Sequence, residues 1–224
     1  MAALRGDQHV KLPSPSKALD MQRTGVRHSV PQGQDREQVK QIVDALCSRD
    51  QRRAAVIVML ARATGMRLRE AILADLPRLS REANGLGRIN IQDGTKGGRA
   101  GASAPRWITV DDHVRAALRF AQQISPAGSR NLIAPSESYL SILQEIDRPA
   151  RDTLHVHNLK GFHELRAAFA CERYEWITHH RGSINGGQCC QLDQRLDHQA
   201  RRQISYELGH GRIDVVAAYI GGLA

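Results

Sequence analysis

The stretch KGFHELRAAFACERYEW, at residues 160–176, places a histidine and an arginine three positions apart within one predicted helix. The apolar run AAFA at residues 167–170 follows this pair, so we expect much of the helix to be buried. Residues three apart share one face of a helix. His163 and Arg166 are therefore predicted to point side by side at a common ligand.

Three helices are predicted between residue 35 and Pro77. Apolar residues recur at helical spacing across residues 35–49, and the run AAVIVML at residues 54–60 is apolar on nearly every side. A helix with that pattern belongs in the core, and it should end at residues 64–65, TG. A short helix that carries Arg67 and Glu70 then ends before Pro77.

A small sheet is predicted in residues 84–110, where six glycines interrupt the chain. Segments 88–92 and 106–110 alternate between apolar and polar residues, as half-buried strands do. We interpret them as parts of a three-stranded antiparallel sheet whose turn or middle strand carries Lys96. Further helices are predicted near residues 112–121, 136–148 and 199–208, with a last one around Tyr219. The expected fold class is therefore mainly α (α+β).

The domain organisation follows from where the apolar periodicity begins and lapses. Residues 1–33 are polar, contain three prolines and are predicted to form a mobile tail or linker. Residues 34–224 form one predicted domain, a size that can bury a core. Within it, residues 178–198 are rich in Gly, Gln, His and Asp and are interpreted as a loop insertion.

The composition favours a nucleic-acid partner. The net charge is +9, and only five of the 32 basic residues are lysines. The planar guanidinium of arginine suits phosphate oxygens, so double-stranded DNA is the expected partner, although charge alone also fits an ordinary basic surface. No apolar run approaches the roughly 20 residues of a membrane span, and no signal peptide is visible. We expect a soluble cytoplasmic protein with no membrane partner.

No cofactor or metal is predicted. The four cysteines include the adjacent Cys189 and Cys190 but no spaced pair of pairs, which is typical of a reducing compartment. These two cysteines and the histidines near them match no tetrahedral zinc pattern. A metal-dependent nuclease would need carboxylates clustered on one face, and the sequence shows no such arrangement.

Four segments carry residues suited to cleaving a phosphodiester. They are TGMRLRE at residues 64–70, GTKGG at residues 94–98, HELR at residues 163–166, and LGH at residues 208–210 followed nine positions later by Tyr219. Attack on phosphorus builds negative charge on the non-bridging oxygens, which preorganised cations can stabilise. Arg67 and Arg166 suit this task because each guanidinium can donate two parallel hydrogen bonds. Glu70 either orients Arg67 or closes a local ion pair, or else it is a solvated surface charge.

In this order and at this spacing, the four segments resemble the catalytic domain of the tyrosine recombinases, the family that includes phage integrases. The resemblance covers residues 35–224. It implies a catalytic set that needs no cofactor: Arg67, Lys96, His163, Arg166, His210 and Tyr219. A second His-x-x-Arg motif, HQAR at residues 198–201, is less suitable because it lies too close to His210 for a helix to intervene.

The resemblance also implies a role for each side chain. Tyr219 is the nucleophile, whose attack leaves a 3′-phosphotyrosine and a free 5′ hydroxyl. Lys96 is the general acid that protonates the departing 5′ oxygen, and Arg99 competes for the phosphate. His163 is a general base or a hydrogen-bond donor to the phosphate, and His210 hydrogen-bonds the scissile phosphate. The ordinary alternatives are a turn lysine, a core histidine and a core tyrosine.

The spacing of His210 and Tyr219 requires an interruption of the helix between them. Nine positions on one straight helix would put the two side chains on opposite faces, since each residue turns by about 100°. Gly209 and Gly211 flank His210 and are predicted to supply that break.

Integration or excision of a mobile element is the expected function, and the chain departs from the family pattern in two ways. The insertion at residues 178–198 either contacts DNA or is neutral. Only a short polar segment precedes the domain, and the chain ends five residues after Tyr219. We therefore expect weak DNA affinity and a monomer in isolation, with further copies meeting on DNA. The alternatives are a type IB topoisomerase, which relaxes supercoils without site choice, and a DNA-binding remnant without catalysis.

Overall fold

The computed structural model describes residues 25–95, 106–187 and 193–222 of the chain. Its helices are α1 (Arg36–Ser48), α2 (Arg52–Thr64), α3 (Leu68–Leu73), α4 (Leu76–Leu86), α5 (Asp112–Ile124), α6 (Tyr139–Ile142), α7 (Arg148–Val156), α8 (Phe162–Thr178), α9 (Gln194–Glu207) and α10 (Ala217–Ile220). The strands are β1 (Arg88–Asn90) and β2 (Trp107–Thr109), and short non-α turns span Leu143–Asp147, Ser183–Asn185 and Asp214–Val216.

Helix α2 forms the centre of the core. It packs against α1, α5 and α8, and ten of its thirteen residues are buried. A helix enclosed on several sides must be apolar around its circumference, which is the pattern that residues 54–60 show. The prediction of a buried second helix is confirmed. Among the residues that the structure describes, no helix is both long and apolar enough to cross a membrane.

The sheet has two strands in the described part of the chain, not the three that were predicted. Strand β1 pairs antiparallel with β2, and Ile89 lies opposite Ile108. Both isoleucines are buried, so one face of this ribbon belongs to the core. A third strand would have to come from residues 96–105, which lie outside the described residues, as do Lys96 and Arg99.

Two segments were predicted to lack regular structure, residues 1–33 and 178–198. The described end of the first contacts a helix, and the end of the second belongs to one. In residues 25–33, the Arg27 amide donates to the Ala217 carbonyl at 3.0 Å. Helix α9 begins at Gln194, before the predicted start near residue 199, because the Asp193 side chain caps it by accepting from the Arg195 amide at 2.9 Å. Likewise, the helix predicted near 136–148 continues as α7 to Val156.

Candidate active site

The site begins where α2 ends. Gly65 adopts a left-handed conformation, with φ of 64°, and a Cβ at this position would lie 2.6 Å from the Phe169 ring. Glycine therefore allows α2 to turn directly against α8. The turn exposes the Gly65 carbonyl to two guanidinium groups, those of Arg106 at 3.0 Å and of Arg166. It also places Arg67 at the N-terminus of α3.

Glu70 holds Arg67 in position. Its carboxylate is fully buried, accepts from Arg67 Nη1 at 2.6 Å and accepts from the Arg67 amide at 2.7 Å. Burial acts to raise the pKa of Glu70, but the adjacent Arg106 and Arg67 outweigh it and lower that pKa to about 2. Glu70 is therefore a buried orienting carboxylate, and the alternative of a solvated surface charge is wrong. The Arg67 side chain remains 38% exposed, so it can meet a ligand.

Arg106 connects three elements beneath the site. Its buried guanidinium donates from Nη1 to Glu70 Oε2 and from Nε to the Glu207 carbonyl, both at 2.5 Å, as well as to Gly65. Burial lowers the pKa of this guanidinium, and the Glu70 carboxylate opposes that shift. The chain just before β2 is thereby joined to α3, to the end of α2 and to the end of α9.

Arg166 lies at the centre of the site and is only 1% exposed. Its two terminal nitrogens donate to the carbonyls of Gly65 and Leu208, and its Nε lies 3.4 Å from the Tyr219 hydroxyl. Burial, together with the nearby Arg106, lowers the pKa of Arg166 to about 10, so the group stays charged at neutral pH. Arg166 Nη2 also lies 3.3 Å from His210 Nε2. A guanidinium has five N–H groups, so these four contacts leave one, on Nη1, for a ligand.

The nucleophile candidate and a histidine are in contact. Tyr219 is 4% exposed, and its hydroxyl lies 2.8 Å from His210 Nε2. Gly209 and Gly211 both have left-handed φ angles, 65° and 67°, so the break predicted between His210 and α10 is confirmed. Burial, with Arg166 next in effect, lowers the pKa of His210 to about 4. The imidazole is therefore neutral at physiological pH and can accept a proton.

His163 is the exposed member of the group. It lies in the first turn of α8, and its ring centroid is 5.4 Å from that of Tyr219. Partial burial and the neighbouring Arg166 lower the pKa of His163. It can thus reach a ligand that also touches Arg67 and Arg166.

A cleft of about 290 Å³ opens beside these residues. Among the described residues that line it, several are cationic and none is acidic. They are Met66, Arg67, Leu68, Arg151, Lys160, Gly161, Phe162, His163 and Arg166. Within the described chain, no group of three or more His, Cys, Asp or Glu side chains is arranged to hold a metal ion. The arrangement suits an anion that is bound by guanidinium and imidazole groups.

A family profile described as Integrase matches residues 25–172, about two thirds of the chain. The chain belongs to the integrase family. The resemblance drawn from the four sequence motifs is thereby confirmed, and the matched region includes Arg67, Lys96, His163 and Arg166 but ends before His210 and Tyr219. No curated protein and no solved structure matches the chain.

This integrase brings five of its six predicted site residues together: Arg67, His163, Arg166, His210 and Tyr219. Lys96 lies outside the described residues. Arg106 was not predicted as a site residue, although it lies two residues before Ile108 in the predicted strand 106–110 and so on the same buried face. Arg151 and Lys160 were not predicted either, because they belong to none of the four motifs.

Proposed function

We propose that this integrase-family chain is a site-specific recombinase that cuts and rejoins double-stranded DNA through a 3′-phosphotyrosine at Tyr219. The observation that carries the proposal is the position of the Tyr219 hydroxyl, 2.8 Å from His210 Nε2 and 3.4 Å from Arg166 Nε. A phenol is a weak nucleophile at neutral pH and needs an adjacent base and an adjacent cation. His210 and Arg166 supply them.

In the proposed cleavage step, the Tyr219 oxygen attacks the scissile phosphorus. Its proton passes to His210 Nε2. The lowered pKa keeps the His210 ring neutral, and Arg166 Nη2, which can only donate, lies 3.3 Å from Nε2 and favours the tautomer in which Nε2 accepts. The bond between phosphorus and the 5′ oxygen breaks, and that oxygen takes a proton from Lys96, in the role that the resemblance implies. The products are a 3′-phosphotyrosine and a 5′ hydroxyl, and the reverse reaction with another 5′ hydroxyl rejoins the strand.

The cations of the site stabilise the charge that develops during this attack. Arg67 and Arg166 are held by Glu70 and by main-chain carbonyls before DNA arrives. Preorganised donors of this kind need little reorganisation at the moment of reaction, which is a major source of catalysis. His163 faces the same cleft and donates a hydrogen bond to a non-bridging oxygen.

The remaining parts of the proposal concern the setting of the reaction. Residues 34–224 act as the catalytic domain, further copies of the chain assemble on DNA, and the protein works in the cytoplasm on a mobile element. The ester to Tyr219 conserves the energy of the phosphodiester, so religation requires no nucleotide cofactor.

A covalent trap tests the proposal. The protein is incubated without added metal with nicked duplexes drawn from DNA that flanks its own gene, and products are separated on a denaturing gel. We expect a slower, protease-sensitive band that is absent with Tyr219→Phe. A band that persists in Tyr219→Phe would refute the assigned nucleophile. DNA binding by both proteins with no band on any tiled duplex would favour the non-catalytic remnant.

A type IB topoisomerase would use the same site residues and would form the same adduct. Supercoiled plasmids that lack the recombination site separate the two activities. We expect slow relaxation of such plasmids and faster relaxation once the site is inserted. Equal rates on both plasmids would favour the topoisomerase.

A further inference from the structure

We infer that Arg151 and Lys160 bind the DNA phosphate adjacent to the scissile one, and so extend the site along the cleaved strand. This inference rests on the proposed function, because it takes Arg67, His163 and Arg166 as the ligands of the scissile phosphate. Neither residue belongs to a motif of the sequence, and the structure alone brings them to the site.

The first observation is that one cleft contains both sets of cations. Arg151, on α7, and Lys160, just before α8, line the same cleft of about 290 Å³ as Arg67, His163 and Arg166. That space is larger than one phosphate group requires. Along one strand of duplex DNA a negative charge recurs about every 3.4 Å of the helix axis, so a ligand strand necessarily brings a second phosphate.

The second observation is that Arg166 lies deeper than Arg151 and Lys160. Arg166 is 1% exposed and contacts the Tyr219 hydroxyl through Nε, so the scissile phosphate must approach the deep end of the cleft. Arg151 and Lys160 are both exposed, which places them at the mouth. Exposed cations at the mouth of a cleft suit the flanking backbone, whose charge stays partly solvated.

The third observation concerns the nearest carboxylate on α8. Glu164 follows His163 directly, but its side chain is only 12% exposed and is paired with Arg27. It also accepts from the Gln32 amide at 2.9 Å. Because Arg27 pairs with this carboxylate, and the described lining of the cleft includes no acidic residue, the described lining carries a net positive charge.

The main chain at Lys160 is also fixed. Its amide donates to Gln32 Oε1 at 2.8 Å, and the preceding Leu159 is fully buried. The backbone position from which the Lys160 side chain extends is therefore fixed, three residues before His163. A side chain anchored in this way loses less freedom on binding than one on a loose loop.

The first test measures binding and does not depend on catalysis. Dissociation constants for a labelled random-sequence duplex are measured between 50 and 200 mM salt. The proteins compared are the unmodified protein, Lys160→Ala, Arg151→Ala and Lys40→Ala. Lys40 is the matched control, because it is an exposed lysine that lines a different groove. Each lost phosphate contact should make the slope of log K against log salt shallower by about 1.

We expect that change for Lys160→Ala and Arg151→Ala, no change for Lys40→Ala, and recovery in Lys160→Arg. Thermal unfolding of each variant checks that the fold is intact, which the exposure of both side chains favours. Slopes that are unchanged for Lys160→Ala and Arg151→Ala would overturn the inference, whether or not the protein cleaves DNA.

The second test locates the contact on the strand. In the duplex that forms the covalent adduct, the phosphate on either side of the scissile one is replaced by an uncharged methylphosphonate. This replacement should slow adduct formation by the unmodified protein severalfold at one of the two positions, and should have little further effect in Lys160→Ala. If both proteins slow equally at both positions, Tyr219 chemistry stands and the assignment of Lys160 fails.

Discussion

Replacing Glu70 with glutamine removes one charge from the centre of the site with little change in shape. Ionised Glu70 is fully buried between Arg67 and Arg106, and its pKa is lowered from 4.5 to about 2. A shift of one pKa unit corresponds to about 1.36 kcal/mol, so this shift corresponds to about 3 kcal/mol of stability at pH 7. Glu70→Gln should lose a similar amount, since it leaves Arg106 buried without its partner.

The loss should depend on pH in a defined direction. Because the folded-state pKa lies below the ordinary value, ionised Glu70 stabilises the folded protein fully above about pH 4.5. That contribution disappears as the pH falls toward 2. At pH 3.5 the expected difference between the two proteins has shrunk to about 2 kcal/mol.

Urea unfolding followed by circular dichroism between pH 7 and pH 3.5 measures this difference. Glu37→Gln is a suitable control, because Glu37 is exposed and surface changes of this kind usually stay within about 0.5 kcal/mol. A gap that stays below about 1 kcal/mol at pH 7, or one that widens as the pH falls, would refute the reasoning.

Three further outcomes are expected. In an NMR titration of the free protein, the His210 imidazole should have its midpoint near pH 4, and a midpoint near 6.5 would contradict the burial seen here. Arg106→Met should lower the free energy of unfolding by about 3–5 kcal/mol, because it removes a partner of the buried Glu70 charge. A loss below about 1 kcal/mol, measured by urea unfolding, would show that Arg67 alone compensates that charge. Arg201 Nη1 donates to the Gly221 carbonyl at 3.0 Å, two residues after Tyr219. Arg201→Ala should therefore slow adduct formation by a larger factor than it weakens DNA binding, and equal factors would contradict this.

Much of the site was predictable because it rests on local spacing. His163 and Arg166 share a helix face by virtue of three-residue separation, and the glycines around His210 required a break before Tyr219. The central α2 was likewise predicted, since an all-apolar run of helical length has no stable position outside a core. The family assignment agrees with these predictions. Lys96 stays a prediction, as do the third strand and the domain limits.

Contacts between residues distant in sequence, and the burial that they cause, were decided by the tertiary structure. Arg106 reaches the Glu207 carbonyl from a hundred and one residues away, and no period in the sequence specifies such a pairing. The choice between an orienting and a solvated Glu70 likewise depended on what packs over it. Arg151 and Lys160 became candidates only once the cleft was seen.

Sequence by itself therefore predicted the mainly helical fold class, because periodicity expresses which residues share an element, and its four motifs carried the resemblance to the family. Only the folded chain decided the burial of Glu70 and Arg106, the contact between His210 and Tyr219, and the composition of the cleft. The physical reason is that burial and charge pairing depend on all the elements surrounding a group, including those distant in sequence.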